Sequence, residues 1–344
     1  MAGYDRKQDT EAVMGWQIQP NIGNILEKAL DDGISRDEAK TLIHMTLHSK
    51  ETYALMETAD RLSRDTFGLK GENHLHIGIN LEPCPLNCRF CSLTRAAGIF
   101  TEKITFSDSQ ILDWARHARD NGADALNIMT TGTYPFSRLL ETGRMLKKHV
   151  DLPLVANTRD IDHHEGEQLL AAGFVGAYHA VRLGEGRDTP LKREKRINTI
   201  RVFRDVGLLW MNCIEPVGPE HTADELVDLM FLAREYGAAY SGVMRRVNFP
   251  GSPMTCHGMI TEFQMARLVA VSRLVMGRVP KAHCTHEPHT ASMLAGANLF
   301  FPEKGSSPRD CQADTGMGRA LDIPECRRMF RETGWDPDLP SNCF

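Results

Sequence analysis

Three cysteines, Cys84, Cys88 and Cys91, stand within the stretch Glu82-Pro-Cys-Pro-Leu-Asn-Cys-Arg-Phe-Cys91. The spacing is C-x3-C-x2-C, with the aromatic Phe90 directly before the last cysteine. Three thiolates on one short loop can hold three irons of a [4Fe–4S] cluster. The fourth iron then lacks a protein ligand from that loop and is open to a small molecule. This separates the pattern from a closed four-cysteine electron-transfer cluster and from a tetrahedral structural zinc site. A zinc knuckle would need a second cysteine or histidine pair at zinc spacing nearby, and none is present. A disulfide framework fits poorly with nine cysteines in a chain of 344 residues that begins with no apolar signal region.

Further groups could contribute. Ile128-Met-Thr-Thr-Gly-Thr-Tyr-Pro135 places Thr130, Thr131, Gly132 and Thr133 at the end of an apolar run. Small hydroxyl residues and a glycine let a backbone approach a ligand, and they also make ordinary turns. Residues 282–289 crowd His283, Cys284, His286, Glu287 and His289 together. Alternation along a strand sends these to opposite faces. Cys284 with His286 is the pair expected to line a cavity, as metal ligands, proton donors or substrate contacts. The bland alternative is one inward polar residue beside satisfied histidines. Arg245 and Arg246 suggest an anionic ligand or a solvated charge pair. Cys311, Cys326 and Cys343 could hold an auxiliary iron–sulfur cluster, with unpaired thiols as the alternative.

These residues need a scaffold. Apolar residues make up 42% and charged residues 25% of the chain, ordinary values for a globular protein. A net charge of -5 gives no global field for nucleic acid. No run of eighteen apolar residues suggests a membrane span, and a cytoplasmic location is the expectation. Residues 20–68 carry apolar residues at helical spacing, with Ser35 and Glu38 placed for a capping box. Strands are expected at 74–80, 124–130, 153–157, 174–182, 208–215, 239–246, 280–284 and 296–301, with helices between them. Eight such alternations predict a (β/α)8 TIM-type barrel, full or nearly full, rather than an open doubly wound sheet. The expected division is a helical extension at 1–70, a barrel at 71–301 and an irregular tail at 302–344. The cysteine loop follows the first strand, where barrel enzymes keep their chemistry.

The cysteine motif, the strand before it and the Thr-Thr-Gly-Thr end resemble the radical S-adenosylmethionine (SAM) superfamily. From about residue 20 to 335 the chain resembles the biotin synthase-like group. That group includes biotin synthase, the [FeFe]-hydrogenase maturase HydE, methylornithine synthase and two-protein lipoyl synthases. The resemblance rests on Tyr178-His-Ala-Val-Arg-Leu-Gly-Glu185, the helix from Glu194 to Gly207 and the loop Val217-Gly-Pro-Glu-His-Thr222. It implies SAM bound to the open iron and cleaved reductively to a 5′-deoxyadenosyl radical, which abstracts hydrogen from a small or carrier-bound substrate. It further implies that Phe90, Thr130–Thr133, Arg182, Glu185 and Arg196 contact SAM, with Arg196 on its carboxylate. A flavodoxin or ferredoxin would supply the electron.

The second, sulfur-donating cluster that the resemblance would imply for biotin synthase lacks its cysteines here. Strand two ends Ile128-Met-Thr-Thr and strand three ends Ala156-Asn-Thr-Arg; only Cys213 stands near a matching place. The tail cysteines lean the reading toward lipoyl synthase-like sulfur insertion, which allows a partner radical SAM protein. The alternatives are a HydE-like maturase, a methylornithine synthase-like mutase, or a non-catalytic iron–sulfur carrier.

Overall fold

The computed structural model describes residues 17–31 and 33–344. The first sixteen residues of the expected extension, including the start read as lacking a signal region, lie outside the described residues. Three helices come first: α1 (Pro20–Ala29), α2 (Arg36–His44) and α3 (Lys50–Phe67). Ser35 and Glu38 form the expected capping box, each satisfying a backbone N–H that the helix start leaves free. The helices bury Leu26, Leu42, Leu55 and Leu62 and fasten to the barrel's outer ring. Arg36 pairs with Asp228 (2.6 Å) and Glu235 (3.2 Å) on that ring.

The strands are β1 (Glu72–Gly78), β2 (Asn80–Leu81), β3 (Ile104–Thr105), β4 (Ala125–Met129), β5 (Leu154–Asn157), β6 (Phe174–Tyr178), β7 (Leu209–Met211), β8 (Ile214–Val217), β9 (Tyr240–Arg245), β10 (Ala282–His286), β11 (Leu299–Phe300) and β12 (Glu303–Gly305). Ten of them close into a parallel barrel of eight staves, β7 with β8 and β11 with β12 each sharing one. β2 and β3 form a separate antiparallel ribbon. The outer helices are α4 (Asp108–Asp120), α5 (Phe136–His149), α6 (His163–Ala171), α7 (Arg193–Val206), α8 (Ala223–Glu235), α9 (Glu262–Met276) and the short α10 (Thr290–Met293), with α11 (Ile323–Glu332) in the tail.

Alternation sorts the strand residues. Leu75, Ile77, Leu126, Ile128 and Val243 join the layer between strands and helices. Tyr178, Met211, Tyr240, Met244, Cys284 and Phe301 pack together inside. β1 sends polar residues inward instead: the His74 ring meets Tyr240 (5.3 Å) and Phe301 (6.1 Å), and the His76 ring meets Tyr178 (6.2 Å) and His286 (5.0 Å).

Two expectations need correction. The fifth strand is divided, because Asn212 and Cys213 step between β7 and β8. The segment from 302 is less irregular than its Pro and Gly content suggested. β12 pairs with β1 through His76↔Glu303 and Gly78↔Gly305, so the eighth stave runs past residue 301. α11 then packs Cys326, Met329 and Phe330 against Phe300 and Trp335. Finally the chain passes under the barrel, where Ser341 Oγ (2.9 Å) and the Asn342 N–H (2.7 Å) donate to Glu72. A three-residue strand leaves no period to read; its partner β1 defines it.

Gly242 lies opposite Cys284 in the β9–β10 register. A Cβ there would strike the Cys284 carbonyl, and backbone cannot turn aside. Gly242→Ala is expected to destabilise the fold by about 1–3 kcal/mol, measured by urea unfolding of the apoprotein; an unchanged midpoint would contradict this packing.

Candidate active site

The loop after β1 and β2 is pinned on both sides. Glu82 accepts from Thr131 Oγ1 (2.7 Å), Thr133 Oγ1 and Lys103 Nζ (3.1 Å). Burial would raise its carboxyl, but these donors hold it below its ordinary value. Asn80 closes the same junction, donating to Thr131 Oγ1 (2.8 Å) and accepting its N–H (3.0 Å). On the other side Ser92 donates its N–H to Pro308 O (2.9 Å) and its hydroxyl to Ser307 O (3.2 Å). Arg89 pairs with Asp188 (3.0 Å), and Cys88 Sγ lies 3.0 Å from Thr189 Oγ1.

So held, Cys84, Cys88 and Cys91 all line one cavity of about 330 Å³ at the carboxyl ends of the strands. Phe90, Thr130, Thr131 and Gly132 line it too. A Cβ on Gly132 would lie 2.7 Å from Leu86 Cδ1 and 3.9 Å from Cys84 Sγ, so a larger residue there would have to displace the Leu86 side chain of the cysteine loop. Burial, then the neighbouring Cys88, pushes the Cys91 thiol up to about 12. Burial likewise raises Cys88. As a bare group the Cys91 thiol would stay protonated, whereas a cluster takes its ligands as thiolates. The donor set and its cradle fit an iron–sulfur group.

The facing wall is cationic. Arg196 is buried, donating from Nε to Ala180 O (3.0 Å) and from Nη1 to Asp160 (3.2 Å). Asp160 also meets His179 Nε2 at 2.9 Å. Burial and the Arg196 charge push His179 down to about 3, so it holds Asp160 as a neutral donor. Burial, opposed in part by Asp160 and Glu185, brings Arg196 down to about 10, still charged at neutral pH. Arg182 pairs with Glu215, which also accepts from Tyr178 Oη (2.5 Å). Arg182 and Arg196 both reach the cavity.

Deeper in lie His76, His286, Glu303 and Arg309. His286 Nε2 is 3.0 Å from Glu303 Oε1 and 2.9 Å from Arg309 Nη2. Arg309 and Arg319 both engage Glu303. Burial alone would raise that carboxyl, but Arg309, His286 and Arg319 hold it well below the usual range. Burial and Arg309 push His286 down to about 4, so it stays neutral.

Several expected residues sit elsewhere. Glu185 does not line the cavity; it accepts the Arg182 N–H at 2.8 Å and its other oxygen is buried without a partner. The Thr131 and Thr133 hydroxyls are committed to Glu82. Cys284 faces inward below the cavity, its thiol directed at Asn212 O (3.9 Å), while His283 points outward to Val269 O (3.0 Å). Arg246 lines the cavity and pairs with Glu220; Arg245 reaches toward Glu262 on the surface (3.4 Å). Cys311, Cys326 and Cys343 are not brought together. Cys311 follows the mouth loop, Cys326 packs outside the barrel with Phe330, and Cys343 sits inside with Tyr240 and Leu299. Asp160, Glu82 and Glu303 were missed, although Glu82 and Asp160 lie just beyond β2 and β5, where barrel sites gather, and Glu303 opens β12.

Fold and site together define a closed (β/α)8 barrel with a three-cysteine loop at its active mouth. No family model matches the chain. It is 26% identical over 326 residues to a biotin synthase of Desulforudis audaxviator, spanning 91% of this chain and 96% of that one. Another biotin synthase is matched over only 49% of its own length. Among solved structures, methylornithine synthase (PylB) superposes with a TM-score of 0.77 at 14% identity, covering 92% of this chain and 98% of that one. HydG, a maturase of the [FeFe]-hydrogenase, gives 0.78 at 15% identity, covering 99% of this chain and 80% of that one. The chain is thus similar to biotin synthases over most of its length, and it shares its barrel fold with PylB and HydG. Among the described residues, no helix is long and apolar enough to cross a membrane.

Asp160 balances two buried groups, so Asp160→Ala is expected to weaken SAM binding about tenfold to a hundredfold, the worth of a charged hydrogen bond. Burial opposes ionisation of Asp160, but His179 and Arg196 outweigh it and depress its pKa. Its contribution is therefore full above the unfolded carboxyl value near ~3.9 and is lost as pH falls through the lower folded value. Calorimetric SAM affinity should stay flat from about pH 8 to 5 as far as this carboxylate and His179 are concerned; a steep loss in the wild type that Asp160→Ala lacks would contradict the assignment.

Proposed function

We propose that the chain is a radical SAM enzyme with a single [4Fe–4S] cluster, held by Cys84, Cys88 and Cys91, acting on a small substrate enclosed by the barrel. The observation that carries this reading is the convergence of the three thiols and two arginines on one cavity. Cluster and SAM, when bound, supply a 5′-deoxyadenosyl radical that abstracts a hydrogen atom from an unactivated carbon.

The chain's own residues bind, orient and exclude water. Arg196 offers the SAM carboxylate a guanidinium whose other contacts, Asp160 and Ala180 O, fix its plane. Arg182 provides a second positive charge. Gly132 lets the strand end lie close, and Phe90 contributes an apolar face beside the loop. The inner floor of His76, Tyr178, His286 and Arg309 is polar, with Tyr178, His286 and Arg309 held by hydrogen bonds and His76 by ring packing, and it is the region we assign to substrate. A buried site of this kind keeps water from a reactive carbon.

Among specific reactions, a maturase- or mutase-type rearrangement of a small molecule is favoured over sulfur insertion. The lean to sulfur insertion rested on a tail cluster, and Cys311, Cys326 and Cys343 occupy three separate surroundings. A low-potential ferredoxin or flavodoxin is the electron donor this chemistry requires. A passive iron–sulfur carrier would have no use for the arginine wall.

Anaerobic reconstitution followed by iron analysis should give about four irons per chain. Incubation with dithionite and SAM should release 5′-deoxyadenosine, and Cys88→Ala should abolish both. About eight irons would support the sulfur-donor reading; an intact cluster with no 5′-deoxyadenosine would support the carrier.

A further inference from the structure

At the opposite end of the barrel, Glu72, His74 and Cys343 are all fully buried, and one ligand atom from each lies within 4.8 Å of the others. His74 Nε2 is 3.4 Å from Glu72 Oε2. The chain near Cys343 is drawn to this spot: Glu72 accepts from Ser341 and Asn342, Asn342 Nδ2 donates to Phe67 O (2.7 Å), and Lys281 Nζ donates to the Cys343 carbonyl (3.2 Å). Two polar atoms nonetheless remain buried without partners beside it, His74 Nδ1 and Tyr240 Oη. The His74 and Tyr240 rings are 5.3 Å apart. An interior rarely leaves such groups unsatisfied.

We propose that Glu72, His74 and Cys343 form a structural zinc site that staples the polypeptide's last turn to the barrel floor. A thiolate, an imidazole and a carboxylate are the zinc donor set. One divalent ion with one thiolate and one carboxylate is neutral overall, as a dry pocket requires. A bound metal would take the Cys343 thiol as a thiolate ligand. The position fits a structural role, because the amino-terminal face of such barrels serves stability and the opposite face serves chemistry.

The contrast with the other trio of donors decides the choice. His76, His286 and Glu303 also converge within 4.8 Å, but Arg309 and Arg319 already occupy Glu303. A cation added there would face two guanidinium groups. The zinc site is independent of the SAM reading, since it uses none of the cavity's residues.

The test separates the two centres. Full-length protein from zinc-supplemented culture should carry about one zinc per chain besides its iron. Replacing Cys84, Cys88 and Cys91 together by alanine should remove the iron and retain the zinc. Cys343→Ser in that background should lower zinc at least about tenfold. Titrating Co²⁺ into the triple variant should raise a thiolate-to-cobalt charge-transfer band that Cys343→Ser lacks. Should Cys343→Ser fail to fold, X-ray absorption at the zinc edge of the triple variant decides: one sulfur among nitrogen and oxygen scatterers supports the site, and a shell without sulfur overturns it. Zinc-free wild type with no cobalt band, or zinc retained in a folded Cys343→Ser variant, overturns it as well.

Discussion

The geometry of the mouth depends on the junction between the cysteine loop and the second barrel strand. Asn80, Glu82 and Thr131 exchange three hydrogen bonds across it, Thr133 and Lys103 add two more to Glu82, and Gly132 permits the approach. A loop rich in Pro and Cys has no period of its own to hold it. Without these bonds the thiols would not converge, and a cluster site needs convergence before chemistry. The same polar junction explains why two threonines that looked free for a ligand are occupied. Their hydroxyls position the loop, and their backbone and Gly132 remain at the cavity edge.

From that junction the charges follow a consistent order. Cations line the wall opposite the thiols, and each is matched by an acid: Arg182 by the buried Glu215, Arg309 by the buried Glu303, Arg196 by the half-buried Asp160 and Arg246 by the half-buried Glu220. Buried ion pairs of this kind are costly to break, because a lone buried charge remains. They therefore keep the wall rigid and charged whether or not an anionic group is bound. The neutral histidines, His179 and His286, hold the acids without adding charge.

Much of the barrel was legible because its helices are amphipathic and its strands are bounded by turn residues. Helices α5 and α7 fall in the gaps between the expected strands, at 136–149 and 193–206. The strand at 280–284 was misplaced by two residues, which matters because β10 carries His286. Register had to come from pairing with β9, not from composition. Cys84, Cys88 and Cys91 were legible because spacing alone defines a chelating loop. Asp160, Glu82 and Glu303 were not, since a single acid past a strand end, or at the start of a three-residue strand, looks like any solvated carboxylate until its partners are known. Conversely the tail cysteines looked related by proximity in sequence. A helix and a return beneath the barrel carry them apart.

The central claim is that one iron of the cluster is left for SAM. Mössbauer spectroscopy of the ⁵⁷Fe-reconstituted protein, recorded without and with SAM, tests it most directly. The account predicts that a single iron site changes its isomer shift and quadrupole splitting on adding SAM while the remaining sites hold theirs. Spectra in which every site is indifferent to SAM would contradict it.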